Sequence, residues 1–343
     1  MRLIVFPAPV SNSNGYSIAV ESDFKRLNVN YPNDKVIWYI SANHESTVDQ
    51  GEIITRFGRF SWKRVLNLLQ GRVSCELRSI DLDFLNNKEE PDYIFCGDVI
   101  AYRALRKVFP NKELIVRFHN CFKRIEDRIS IIGERSLSFA YKLDMKTISL
   151  LEKEIFTDDN TYKIFISNED MDYYRLLTGR TGDSEVWPIL PNSTLSLKNR
   201  TTNHQFKKLV YFGGLDIHKV DSVKWFINVV FSEIRKNNSK LEFHLFGNGT
   251  ELLDEKNRGI YGHGRYLGDD FPFQNDSLYV NPDLTGGGVK IKVKSYLEND
   301  IVSLSTPFGF EGYSSELIDN YYCYVKSPEE WVGFISSLFE NYQ

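Results

Sequence analysis

The segment Tyr279–Tyr313, YVNPDLTGGGVKIKVKSYLENDIVSLSTPFGFEGY, constrains the fold more than any other part of this 343-residue chain. A short apolar run, Ser277–Asn281, stops at Pro282. Gly286, Gly287 and Gly288 follow as a loop without Cβ atoms. From Val289 to Asn299 the spacing turns helical, with Val289, Val293, Tyr296 and Leu297 on one face. A second apolar run, Ile301–Leu304, is closed by Pro307 and Gly309. Strand, glycine loop, helix, strand is the repeating unit of a parallel α/β sheet.

The loop chemistry points to an anion. Glycines let backbone N–H groups approach a ligand, and a helix N-terminus carries a partial positive charge. Lys290 and Lys292 fall in the first turn of the helix. Cations there oppose the helix dipole at about 0.3–1 kcal/mol each. The placement is odd for a purely structural helix and natural if a diphosphate sits at its tip. The plainer reading is a solvated turn with ordinary surface lysines.

The same stretch resembles the donor-binding segment of GT-B glycosyltransferases of the group 1 type (glycosyltransferase family 4). The residues that carry the likeness are Pro282, Gly286–Gly288, Val289, Lys290, Lys292, Val293, Ser305, Thr306, Gly309, Glu311 and Gly312. There are departures. The family's ribose-binding glutamate falls at Ser295, its later glycine at Asp300, its proline at Val302, and the first glutamate of its paired motif at Gly287. The resemblance implies an α/β chain of two Rossmann-like domains facing across a cleft. It also implies sugar transfer, with retention, from a nucleotide diphosphate sugar of the UDP or GDP type to a glycan or lipid-linked acceptor hydroxyl. Neither a cofactor nor a metal is expected, because lysines and backbone amides would take the diphosphate charge.

Composition fits that picture. The length allows two domains. A charged fraction of 26% and a hydrophobic fraction of 42% are those of a globular chain. A net charge of −4 argues against nucleic acid as a partner. Four scattered cysteines without a CxxC pair argue against a metal cluster or disulfide framework. With no signal peptide or membrane-length run, the expected location is cytoplasmic. The family likeness adds a role in bacterial surface polysaccharide assembly.

Taken in order, Arg2–Phe6 reads as a strand running into a polar loop with Gly15, then a helix over Ile18–Leu27. Ile53–Cys75 carries Arg56, Arg59, Lys63, Arg64 and Arg72 and no acid, interleaved with apolar residues. It reads either as a basic amphipathic stretch on an anionic membrane surface or as a core-facing helix with a basic outer face. Asp81-Leu82-Asp83 reads as a capping turn, since no hydrophobic strand precedes it. Leu114–Phe118 reads as a strand that delivers His119 to the ligand edge of the sheet. By resemblance His119 contacts the donor sugar near the reacting centre, with Arg117, Lys123 and Arg124 adding positive potential.

The boundaries read as a first domain over 1–192, a polar linker over 193–206, a nucleotide-sugar domain over 207–326, and a terminal helix over 327–343 that packs back on the first domain. In the second domain the family's phosphate loop falls at Gly213-Gly214, with Gly214 where an arginine often stands and Lys219 near the lysine position. Gly247 falls beneath the base. Glu311 and Glu298 are the candidates to replace the missing ribose glutamate, and Glu311 also to bind the sugar. The alternative reading is a catalytically silent subunit that binds a partner enzyme or a glycan; a GT-B epimerase or an inverting transferase is a further rival.

Overall fold

The computed structural model describes the chain apart from residues 1, 7–18, 21, 24, 28–35, 43–51, 57–61, 88–89, 133–138, 190–205, 216, 269, 274–275, 285–287, 300, 314–321, 325–326 and 340–343. It divides into two units, Met1–Ile189 with Gly287–Val289, and Leu190–Gly286 with Lys290–Gln343. Each is built on one parallel sheet.

Among the described residues the first sheet has seven strands: β1 (Arg2–Phe6), β2 (Val36–Ala42), β3 (Glu52–Arg56), β4 (Tyr93–Cys96), β5 (Leu114–Phe118), β6 (Thr161–Phe165) and β7 (Ser184–Val186). Their order is β3-β2-β1-β4-β5-β6-β7, and every pairing is parallel. This is the doubly wound order, which reverses between β1 and β4, and such sheets bind ligands beyond the carboxyl ends of the strands at that reversal. Helices α1 (Trp62–Leu69), α2 (Tyr102–Val108), α3 (Phe122–Ile132), α4 (Phe139–Thr157) and α5 (Asn168–Thr178) belong to this unit. Helix α5 shows how local sequence sets an element: Ser167 accepts from the Asp170 N–H at its start, and Gly179, at φ 70°, ends it. The core joins Val116 and Phe118 of β5 to Phe156, Phe165 and Tyr174, with Phe118 stacked on Phe165 at 4.9 Å.

Among the described residues the second sheet has six strands, β8 (Lys208–Phe212), β9 (Glu242–Phe246), β10 (Ile260–Gly262), β11 (Ser277–Asn281), β12 (Ser303–Ser305) and β13 (Tyr322–Tyr324). Their order is β10-β9-β8-β11-β12-β13, again parallel throughout. Helix α6 (Ile217–Trp225) runs through a π-helical segment, Phe226–Phe231, into α7 (Ser232–Asn237). The wider turn buries Phe226, Ile227, Val230 and Phe231 together. Helices α8 (Ile291–Glu298) and α9 (Pro328–Phe339) complete the unit.

One expectation changes, and the structure adds elements that were not read from the sequence. The 53–75 stretch is not one amphipathic element: its start is strand β3 beside β2, and among its described residues only Trp62–Leu69 is helical. Its apolar and basic residues interleave too evenly for either period to stand out. Helix α3, between His119 and α4, went unrecognised, as did the short strands β3, β7 and β13. In the terminal helix the buried apolar face belongs to the core of the second unit. Trp331, Ile335 and Phe339 recur every four residues and are buried in the core of the second unit, with Trp331 edge-on to Phe226 at 5.2 Å.

Candidate functional site

In the second unit the glycine loops after β8 and β9 close on one another. Gly213 N–H donates to the Phe246 carbonyl at 2.8 Å, Leu215 N–H to Asn248 at 2.8 Å, and Gly247 N–H to Gly264 at 2.8 Å. Gly247 has φ 135°, and a Cβ there would lie 2.3 Å from the Gly213 carbonyl oxygen. Only glycine allows that backbone approach. At Gly214 a Cβ would make ordinary contact with Asn248 at 3.7 Å, so the side chain absent there leaves no packing defect.

The lysines converge beside these loops. Lys290 precedes α8 in an extended conformation, φ −81° and ψ 97°. Its carbonyl accepts from the Tyr313 hydroxyl at 2.9 Å. Its ammonium lies 4.2 Å from the centre of the Phe308 ring. Lys292 lies 4.9 Å from the Tyr211 ring centre and 3.0 Å from Asp283 Oδ2. Asp283 is 1% exposed. Burial pushes the Lys290 amine down to about 8; Asp283 and Glu311 oppose that fall, and Lys292 and Lys219 deepen it. Three cations and two carboxylates therefore sense one another at the N-terminus of α8. The net positive charge, ring faces and helix dipole suit a multiply charged anion.

Gly288 has φ 64°, in the left-handed region, and Val289 is buried. Gly15, Gly286 and Gly287 lie outside the described residues. Ser295, where the resemblance puts a ribose-binding glutamate, turns its hydroxyl back onto the Ile291 carbonyl at 3.4 Å. Glu298 holds an ion pair with Lys294 at 2.6 Å, so this ribose candidate already has a charged partner. Glu311 ends the 3₁₀ turn Pro307–Phe310, which Thr306 caps by accepting from the Gly309 N–H.

In the first unit His119 follows β5, is buried, and approaches the Gly97 carbonyl through Nε2 at 3.0 Å. Gly97 follows β4, so the contact sits at the carboxyl edge beside the reversal of strand order. Burial first, and the Arg117 charge second, hold the imidazole well below its usual pKa. The ring is neutral, Nε2–H donates to Gly97, and Nδ1 has acceptor character. A neutral imidazole so held can orient a hydroxyl; it is not placed to attack as an anion.

The expected positive potential around His119 is corrected. Arg117 is fully buried, bonding Asp23 Oδ2 at 2.8 Å and the Phe165 and Trp187 carbonyls, each at 2.7 Å. Burial raises Asp23 and lowers Arg117. Lys123 pairs with Asp127 and Glu126, and Arg124 with Asp170. The N-terminus of α3 is answered from within: Glu152, its pKa raised to about 8 by burial, accepts from the Phe122 and Lys123 N–H groups at 2.8 and 2.6 Å. Asp81 accepts from the Arg78 N–H at 3.0 Å, the capping role its setting implied. Among the described residues no three His, Cys, Asp or Glu side chains are grouped to hold a metal ion.

Solved structures supply the comparison. WaaG, a glycosyltransferase involved in lipopolysaccharide biosynthesis, superposes with a TM-score of 0.63 over 99% of this chain and 90% of its own, at 11% identity. The fold is GT-B. A UDP-forming trehalose-phosphate synthase from Burkholderia xenovorans shares the GT-B architecture at a TM-score of 0.60, 11% identity, 98% of this chain and 90% of that one. A protein taken to be a UDP-N-acetylglucosamine 2-epimerase from Listeria monocytogenes does so at 0.52, 11% identity, 99% and 88%. No protein-family model and no curated sequence matches the chain. At this identity the likeness speaks for GT-B as a fold, and the chemistry rests on the residues.

Sequence reasoning missed Asp283, Tyr211, Phe308 and Tyr313 around the lysines, and Asp23 and Gly97 around His119. Asp283 alone carried a signal, an acid inside a segment otherwise read as anion-binding.

Proposed function

We propose that this GT-B chain is a glycosyltransferase that moves a sugar, with retention, from a nucleotide diphosphate sugar to a hydroxyl of a glycan or lipid-linked acceptor. Bacterial surface polysaccharide assembly on the cytoplasmic side is the setting that suits it. One observation carries the reading: Lys290, Lys292 and Lys219 gather with Asp283 and Glu311 at the N-terminus of α8. As the bond to the anomeric carbon breaks, the leaving diphosphate gains charge. The lysine ammoniums and the helix N-terminus stabilise that charge without reorganising. Glu311 and the neutral His119 are the groups assigned to sugar hydroxyls. The solved structures named above, glycosyltransferases among them, share the fold on which this reading is built.

The second reading, a silent subunit, draws on Ser295 and Glu298, both turned to partners within α8. A thermal-shift screen with UDP, GDP, ADP, dTDP and CMP, with and without magnesium, separates the two. A ligand that binds only the folded state at a hundredfold excess over its Kd adds about 2.7 kcal/mol of apparent stability. A metal-independent rise with one nucleoside diphosphate, lost in Lys290→Ala/Lys292→Ala, supports the enzyme. No rise with any nucleotide supports the silent subunit.

A further inference from the structure

Helix α1 is built inside out. Its one buried residue is polar: Asn67. The Asn67 amide donates to the Ser74 and Glu76 carbonyls at 3.1 and 2.9 Å, and its oxygen accepts from Arg78 Nε at 2.9 Å. These bonds pin the helix to the segment that follows it. The opposite face carries Trp62, Val65, Leu66 and Leu69, spaced as one helical stripe, and they are 79%, 43%, 43% and 77% exposed. A surface helix ordinarily turns such a stripe to the core. Ile80, also exposed, lies beside Asp81, which Lys63 reaches at 3.2 Å.

A large exposed apolar face marks a contact surface. Two occupants are conceivable, a protein and a lipid surface. A stable protein interface takes roughly 800 Å² from each partner. An eight-residue helix is about 12 Å long, and four apolar side chains on it fall short of that area. A lipid interface needs no such area. It accepts a short helix lying flat, with a Trp ring at headgroup depth and basic residues at the flank. The charge agrees. Helix α1 carries Lys63 and Arg64 and no acid, and Lys63, paired with Asp81, is half exposed at the edge of the stripe.

We infer that α1 is a docking helix that seats Trp62, Val65, Leu66 and Leu69 in the headgroup boundary of an anionic bilayer. The inference stands apart from the proposed transfer reaction, because it uses neither the lysine cluster nor His119.

Vesicle flotation of the full chain tests it, with roughly 30% phosphatidylglycerol in phosphatidylcholine against pure phosphatidylcholine. The wild type floats with the anionic vesicles and binds the neutral ones about tenfold less. Trp62→Ser/Leu69→Ser lowers anionic binding by about tenfold or more, with an unchanged circular dichroism spectrum and melting midpoint, since both side chains face solvent. Lys63→Glu keeps the stripe and loses most of the anionic preference. Equal flotation of the wild type and the double variant overturns the inference, as does equal binding to both vesicle types. A concentration-dependent dimer, abolished by the same double substitution and without flotation, assigns the face to a second copy of the chain and overturns it too.

Discussion

Lys290→Met should make the protein more stable and a poorer binder of nucleoside diphosphates. Lys290 is 9% exposed, and burial lowers its pKa from 10.5 to about 8. For a cation depressed on folding, the unfolded chain holds the proton more tightly between those two values. Its favourable contribution is therefore complete above the unfolded pKa and lost as pH falls through about 8. At neutral pH the buried ammonium costs about 3 kcal/mol, at 1.36 kcal/mol for each pKa step. Removing the charge recovers part of this, and the methionine keeps the contact with the Phe308 ring. Binding runs the other way. A diphosphate favours the protonated amine, which is about nine-tenths populated at pH 7 and about one-tenth at pH 9. Affinity should fall about tenfold across that range. Titration calorimetry at pH 7, 8 and 9, with urea unfolding of both proteins, reads both effects. A pH slope that survives in Lys290→Met, or a variant less stable than wild type at pH 7, would refute the assignment of Lys290 as the strained, ligand-facing charge.

Two further outcomes follow from the packing. Arg117→Met strands Asp23 in a buried site and removes one donor each from the Phe165 and Trp187 carbonyls, of which Phe165 keeps the Trp187 N–H; urea unfolding should show a loss of about 3–5 kcal/mol. Gly247→Ala places a methyl group against the Gly213 carbonyl and should cost several times more than Gly71→Ala, which meets nothing within 4 Å and bears only its positive φ, a penalty of about 1 kcal/mol.

Much of the architecture could be read from the chain because parallel sheets bury both faces of their strands. LIVRF, KLVYF and SLYVN stand out as continuous apolar runs, and β5, β8 and β11 lie where they fall. Edge strands lack that signal: β3 contains Glu52, Thr55 and Arg56, and β7 is the three residues Ser-Glu-Val. The lysine pair was legible because cations at a helix N-terminus violate a local rule. Tyr211 and Phe308 were not, because they meet the lysines across strands and loops distant in sequence, whereas Asp283 lies in the same segment as the lysines. Arg117 was misread for the same reason. It looks like an edge charge until Asp23, 94 residues earlier, is placed beside it. Asn67 reversed the expected face of α1 through bonds to a segment that sequence periodicity does not describe.

The central claim is that the cluster at the start of α8 grips a donor diphosphate. Titration calorimetry of the wild type and of Lys290→Ala/Lys292→Ala, with the nucleoside diphosphate that gives the largest thermal shift, tests it most directly. Kd in the micromolar range for the wild type, near −8 kcal/mol, and about a hundredfold weaker binding by the variant are the predicted results. Undiminished binding by the variant would place the anion elsewhere, and no binding of any nucleotide by the wild type would contradict the claim outright.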